Sequence, residues 1–211
     1  MLKYRRIVQE SARRIAKAAN RTVRSYAIDE VEEETDFTGE MLGRMKEAMH
    51  GFRTRGVRWT AKILTSHRSN AQESTFGADF IGVVTFDLPD YKVTKGFLAQ
   101  AKRIEHGGSM RSRDWERLVG QCKRMLDISP EAFVFLYSPE GISVIPAVAI
   151  VSAQRCRKLA EFYSRSAVRF YEDHFECFVG DLRINSADIK TLESLRVANS
   201  LYLEASGDEP E

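Results

Sequence analysis

Residues 76–103 read FGADFIGVVTFDLPDYKVTKGFLAQAKR, and two β-like runs stand out in them, Phe80–Phe86 and Gly96–Lys102. Side chains alternate along a strand. Gln100 and Lys102 therefore share one face with Leu98 beneath them, while Phe97, Ala99 and Ala101 take the other. A Gln and a Lys together at a strand's end are expensive to cover unless that face opens into a cleft. Asp79 heads the preceding apolar strand, directly after a Gly-Ala step. Two neighbouring strands would thus gather a carboxylate, an amide oxygen and an ammonium around one point.

That grouping suits divalent-metal phosphodiester chemistry. Mg2+ takes hard oxygen ligands in octahedral geometry and keeps several waters. Asp79 would hold it by charge and the Gln100 amide oxygen would add a neutral ligand. Lys102 would orient or help deprotonate an attacking water and offset phosphate charge. A further carboxylate is expected from the second helix.

The flanking segments give the setting. Residues 3–26 read as an amphipathic helix, with Ile7, Val8, Ile15, Ala18 and Ala19 on one side and arginines on the other. It reads as a docked, solvated helix, as a basic arm on a nucleic-acid backbone, or, lowest in rank, as an Arg-rich presequence. A second helix is expected from Asp29 to Phe52, then a strand over Val57–Leu64. Residues 114–126 return to helical spacing through Trp115, Leu118, Cys122 and Met125. Ala132–Tyr137 and Ile142–Ile145, joined by Ser-Pro-Glu-Gly, predict a hairpin. From about residue 151 the chain reads as mainly helical, with a last leucine-bearing segment and a frayed tail. The expectation is an α/β fold of order α-β-β-β-α-β-β, divided into a basic helix (1–27), a core (28–150) and a helical extension (151–211).

Asp79, a twenty-residue gap and Gln100-Ala101-Lys102 resemble the PD-(D/E)XK nuclease superfamily in its QxK variant. Mrr-type restriction enzymes and bacterial anti-phage effector nucleases share that variant. The resemblance spans roughly residues 28–147. It implies a restriction-endonuclease-like mixed sheet flanked by helices and Mg2+-dependent hydrolysis of DNA, most naturally double-stranded, with Mn2+ as a substitute. It also implies a place in defence against foreign DNA. The motif carries over to Asp79, Gln100 and Lys102. A first-helix glutamate is implied among Glu32, Glu33 and Glu34, and helical periodicity favours Glu34. Glu73 is a further possible metal ligand or substrate contact. Two departures stand out: Gln100 replaces the acid of the commoner ExK motif, leaving a less negative site. After the strand, Gln121 is present, but Met125 stands where the RecB-like subgroup places a tyrosine.

Plainer readings stand beside this one. Gln100 and Lys102 suit a charged edge strand, Asp79 a turn cap, and the acidic run 30–34 a solvated helix start. A nuclease fold without catalysis, binding nucleic acid or a partner protein, is the rival reading. So is an effector that waits for a sensor or for oligomerisation. Lys95, Arg103, Arg111 and Arg113 are the candidate nucleic-acid contacts, although Lys95 falls on the face opposite Lys102. Gly96 suggests close backbone approach there, possible for substrate.

The 211 residues and 24.0 kDa are enough for one core, and the formal charge is only +2. Its distribution is uneven: residues 1–27 hold eight basic residues against one acid, and residues 28–50 hold two against eight. Residues 51–130 hold fourteen against eight, which suits a surface facing a polyanion. No apolar run approaches 18 residues, and no secretory signal is evident, so no membrane partner and a cytoplasmic location are expected. Cys122, Cys156 and Cys177 read as buried thiols, and the four scattered histidines make no zinc motif. Trp59, Trp115 and the aromatic stretch Val168–Arg183 are expected to pack in the core.

Overall fold

The computed structural model describes residues 4–27, 34–65, 77–103, 110–153, 158–186, 190, 194 and 197–207, with side chains for all but 24–27 and 34–36. α1 (Arg5–Ala27) and α2 (Glu34–Met49) precede β1 (Arg53–Thr54), β2 (Val57–Thr65), β3 (Phe80–Leu88) and β4 (Tyr91–Arg103). α3 (Ser112–Ile128) leads to β5 (Ala132–Ser138), β6 (Gly141–Pro146) and α4 (Ala147–Ser152). A 3-10 turn (Leu159–Glu161), β7 (Arg165–Ser166), α5 (Ala167–Phe175) and β8 (Asn199–Gly207) follow. These strands form one mixed sheet in the order β1-β2-β8-β3-β4-β5-β6-β7. The fold is α/β, and the expected succession of elements is present as α2-β2-β3-β4-α3-β5-β6.

Strand alternation divides the interior into two layers. On one side Phe80, Val84, Phe97, Ala99, Phe133, Phe135 and Leu203 meet the apolar stripes of α1, α2 and α5. On the other, Ile81, Val83, Leu98, Val134 and Ile145 meet Trp115, Leu118, Cys122 and Met125 of α3, with Ile150 of α4. The first layer centres on Phe97, whose ring contacts Phe170 edge-on at 5.0 Å and stacks on Phe135 at 5.9 Å. Trp59 and Trp115 are buried and α5 packs inward through Phe170, Tyr171 and Phe175, as expected.

Two expectations need correction. β4 begins at Tyr91, not Gly96, and joins β3 through the two-residue turn Pro89-Asp90. Residues 91–94 are half-buried except for exposed Lys92, and with Lys92 and Thr94 among them they make no apolar run. The larger correction concerns residues 151–211, which are not simply a helical extension. Their leucine-bearing segment is β8, inserted between β2 and β3, antiparallel to the first and parallel to the second. Leu201, Leu203 and Ala205 face the α1/α2/α5 layer, while Ser200, Tyr202 and Glu204 alternate with them, the period of a strand. α1 likewise packs into this layer.

Substitutions in each core layer should therefore be costly. Phe97→Ala is expected to lose about 3–5 kcal/mol and Leu203→Ala about 2–5 kcal/mol. Exposed Val148→Ala should stay within about 0.5 kcal/mol. Urea unfolding of the three variants checks this, and a silent Leu203→Ala would contradict the central position of β8.

Candidate functional site

The register of β3 on β4 builds the site. Phe80 pairs with Ala99, which brings Asp79 opposite Gln100 at the strand end. Asp79 N–H donates to the Ala99 carbonyl (2.7 Å), continuing the ladder by one bond. Its carboxylate Oδ2 then accepts from Ala101 N–H (2.8 Å) and from Gln100 Nε2 (2.5 Å). Asp79 thus does two things at once: it caps the ladder and holds the Gln100 amide against its charge.

Gln100 is 2 % exposed. Its Nε2 also reaches the Ala101 carbonyl (3.1 Å), and its Oε1 is buried without a hydrogen-bond partner among the described residues. An orphaned buried acceptor costs roughly 1–3 kcal/mol. Rotating the amide by half a turn would bring this oxygen to Asp79, where the two repel unless a cation lies between them. Lys102 is half-buried on the same strand face and lies towards α3. Burial pushes the Cys122 thiol up to about 12, and the Lys102 charge pulls it partly back.

The loop before Asp79 is held tightly. Gly77 has φ +82°, and a Cβ there would stand 2.4 Å from the Gln121 carbonyl oxygen of α3. Only glycine lets the turn approach the helix backbone that closely. Gln121 Oε1 is a second buried acceptor without a partner. In the sequence Gln121 is only half of a subgroup motif, and its contact with Gly77 joins distant residues that spacing does not connect.

The other expected residues gather at the same sheet edge to different degrees. β5 runs parallel to β4, with Arg103 beside Tyr137. A parallel pair needs a crossover, so α3 returns along the sheet and its start, with exposed Arg111 and Arg113, lies at the Arg103 end. Phe37 of α2 stacks on Tyr137 with ring centroids 3.8 Å apart, bringing the first turns of α2 to this edge as well. Glu34 opens α2 there, in the opposite layer from Gln100. Its side chain, and all of Glu32, Glu33, Glu73, His106 and Cys156, lie outside what is described. Among the described residues, no group of three or more His, Cys, Asp or Glu converges on one point. With the Gln100 amide turned over, its Oε1 and the Asp79 carboxylate would be two hard oxygens of the kind Mg2+ takes.

Lys95 is corrected. It is 2 % exposed, and its Nζ donates to the carbonyls of His174 and Val179 (2.6 Å to the latter), so it does not reach a phosphate. Burial pushes its ammonium below the usual lysine value, and Cys177 and Glu131 partly restore it. Gly96 does meet a close neighbour, but that neighbour is this chain's own segment 181–184. Gly96 and Asp181 exchange backbone hydrogen bonds of 3.1 and 2.8 Å, and a Cβ on Gly96 would stand 2.8 Å from the Ile184 carbonyl oxygen. Cys177 is exposed rather than buried, while Cys122 is buried as expected.

No protein-family model, no curated protein and no solved structure matches the chain.

Acid should destabilise this region. Burial first, and then the Lys95 charge, lower His174 to about 3 from its ordinary 6.5. Between those values the unfolded chain binds a proton that the folded chain refuses, so stability falls as pH falls. The slope approaches about 1.4 kcal/mol per pH unit. Asp181, held at about 2 mainly by the Arg183 side chain, loses its own contribution only below its ordinary 3.8. Urea midpoints of wild type and His174→Gln across pH 7 to 4 check this: the variant should show a flatter profile.

Proposed function

We propose that the protein is a metal-dependent endonuclease that hydrolyses phosphodiester bonds of double-stranded DNA, built on a restriction-endonuclease-like fold. The observation that carries this reading is the buried Gln100 amide, whose Nε2 donates to the Asp79 carboxylate and whose Oε1 has no hydrogen-bond partner among the described residues, with Lys102 on the same strand face. The order α2-β2-β3-β4-α3-β5-β6 and the resemblance of Asp79, Gln100 and Lys102 to the QxK motif support it. β8, between β2 and β3, is an addition to that order.

Asp79 and Gln100 would hold Mg2+ or Mn2+. Bound there, the ion supplies Lewis-acid polarisation of a phosphoryl oxygen. Asp79 keeps its place through the Ala101 N–H whatever the amide of Gln100 does, so the carboxylate is oriented in advance. Lys102 positions water and offsets charge on the phosphate. Arg103, Arg111 and Arg113 face solvent at the same edge and grip phosphates away from the scissile bond. A role against foreign DNA follows from the resemblance.

One observation favours a second reading, a nuclease fold that binds DNA without cutting it. The Asp79 carboxylate already serves as the cap of the β3–β4 ladder, a purely structural task.

Plasmid cleavage separates the two. Wild type, assayed over a range of protein concentrations to allow for self-assembly, should cut with Mg2+ or Mn2+. Asp79→Ala should abolish cutting, and Lys102→Ala should slow it by about 10²-fold or more. A Lys102→Ala variant at the wild-type rate would sink the mechanism, and salt-dependent binding with no cutting selects the second reading. Gln100→Glu, which restores an acid, should tighten Mn2+ binding in calorimetry.

A further inference from the structure

α1 exposes one kind of side chain. From Arg5 to Val23 its exposed residues are Arg5, Arg6, Arg13, Arg14, Lys17 and Arg21. The apolar residues of the same stretch, Ile7, Val8, Ile15, Ala19 and Val23 among them, are buried in the core. At 100° per residue, Arg6, Arg13, Lys17 and Arg21 fall within a sector of about 80°, and at 1.5 Å per residue they span about 22 Å.

Among the described residues, Arg6 alone of this row lends its charge to Glu10, and the rest has no structural employment. Arg14 has one: its Nε donates to the Ala48 carbonyl (2.5 Å) and its guanidinium lies 4.4 Å from the Phe52 ring centroid. Glu10, the one acid in residues 1–27, is engaged by Thr54 and by Arg55 at 3.1 Å. Among the described residues, Arg13, Lys17 and Arg21 have no ion-pair partner. They follow one another at i, i+4 spacing, where like charges destabilise a helix. A local rule broken without local compensation points to function.

The row also has a direction. Asn20 Oδ1 accepts from Ile142 N–H (2.9 Å), fixing this end of α1 over the β5–β6 hairpin. That hairpin turns just beyond Tyr137, the partner of Arg103, so this end of α1 lies at the same end of the sheet as Asp79, Gln100 and Lys102, on the opposite face. From there the row runs away from the site along the α1/α2/α5 layer. Three of its four members are arginines, whose planar forks match phosphate geometry. With the apolar side of α1 buried in the core, the helix has no face to insert into a bilayer.

We propose that Arg6, Arg13, Lys17 and Arg21 form a track for the phosphate backbone of nucleic acid, continuing from the edge of the candidate site and reading no bases. The span covers about six base steps of a duplex strand. The track takes its substrate class from the nuclease reading, but its test needs no cleavage.

The test uses the full chain, Mg2+-free buffer and a fluorescent duplex long enough to extend past the site. Anisotropy titrations at several salt concentrations give the slope of log affinity against log salt for wild type and for Arg13→Gln/Lys17→Gln/Arg21→Gln. Losing three phosphate contacts should reduce the slope by about 2.7, so that between 50 and 200 mM salt wild type loses about 40-fold more affinity than the variant. The charge-preserving Arg13→Lys/Lys17→Arg/Arg21→Lys should keep the wild-type slope, and circular dichroism should show both variants folded. An unchanged slope in the glutamine variant overturns the track, as does the absence of salt-dependent duplex binding by wild type. Row-dependent binding to phosphatidylserine vesicles without a change in the duplex slope assigns the row to membranes and equally overturns it. Wild type that binds with the expected slope difference but never cuts leaves the track standing while the nuclease reading fails.

Discussion

The register between β3 and β4, Phe80 opposite Ala99, is the constraint on which the rest depends. Strand side chains alternate, so a slip of one residue would send Gln100 and Lys102 into the aromatic layer and Phe97 to the α3 side. The aromatic layer prevents that slip. Phe97 sits among Phe133, Phe135, Phe170 and the ring of His174, where an amide or ammonium in its place would be costly to bury. At the strand end the same register is pinned by Asp79, which gives up its backbone N–H and its carboxylate to β4 together. Core packing and site geometry are therefore one specification.

The two sides of the sheet divide the labour. The α1/α2/α5 layer holds most of the aromatic mass and turns its cations outward. The α3/α4 layer is smaller, and Gln100 and Lys102 lie on its side of the sheet. Lys95 marks the boundary between these roles: its charge is spent on the carbonyls of His174 and Val179, tying the end of α5 to β4. A lysine next to a glycine and five residues from Gln100 looks like part of the site in a linear reading, yet its side chain belongs to the other layer.

Much of this was legible from residue order. Period-2 spacing placed Gln100 and Lys102 with Leu98, and the layers follow that assignment. Helical spacing in 114–126 and the Ser-Pro-Glu-Gly turn gave α3 and the β5–β6 hairpin. What escaped was decided by distant partners. The alternation in Asn199–Gly207 is visible afterwards, but nothing local says that it inserts between β2 and β3. The Gly77 contact with Gln121 and the approach of Ile184 to Gly96 join segments more than forty residues apart, beyond any spacing rule. Cys177 read as a buried thiol from the odd, widely spaced set of three cysteines, and it is exposed where the chain turns, with φ +68° at the cysteine itself.

The position of β8 has a consequence for the timing of synthesis. Its neighbours β2 and β3 are made more than a hundred residues before it, and the two strands have no hydrogen bonds to each other to fall back on. On the ribosome, both must wait with bare edges until residues 199–207 have emerged. Long-range pairing of this kind is slow to form. The strand end carrying Asp79 thus gains its second neighbour only late, and a nascent chain holds the Asp79–Gln100 pair in an unfinished sheet until then.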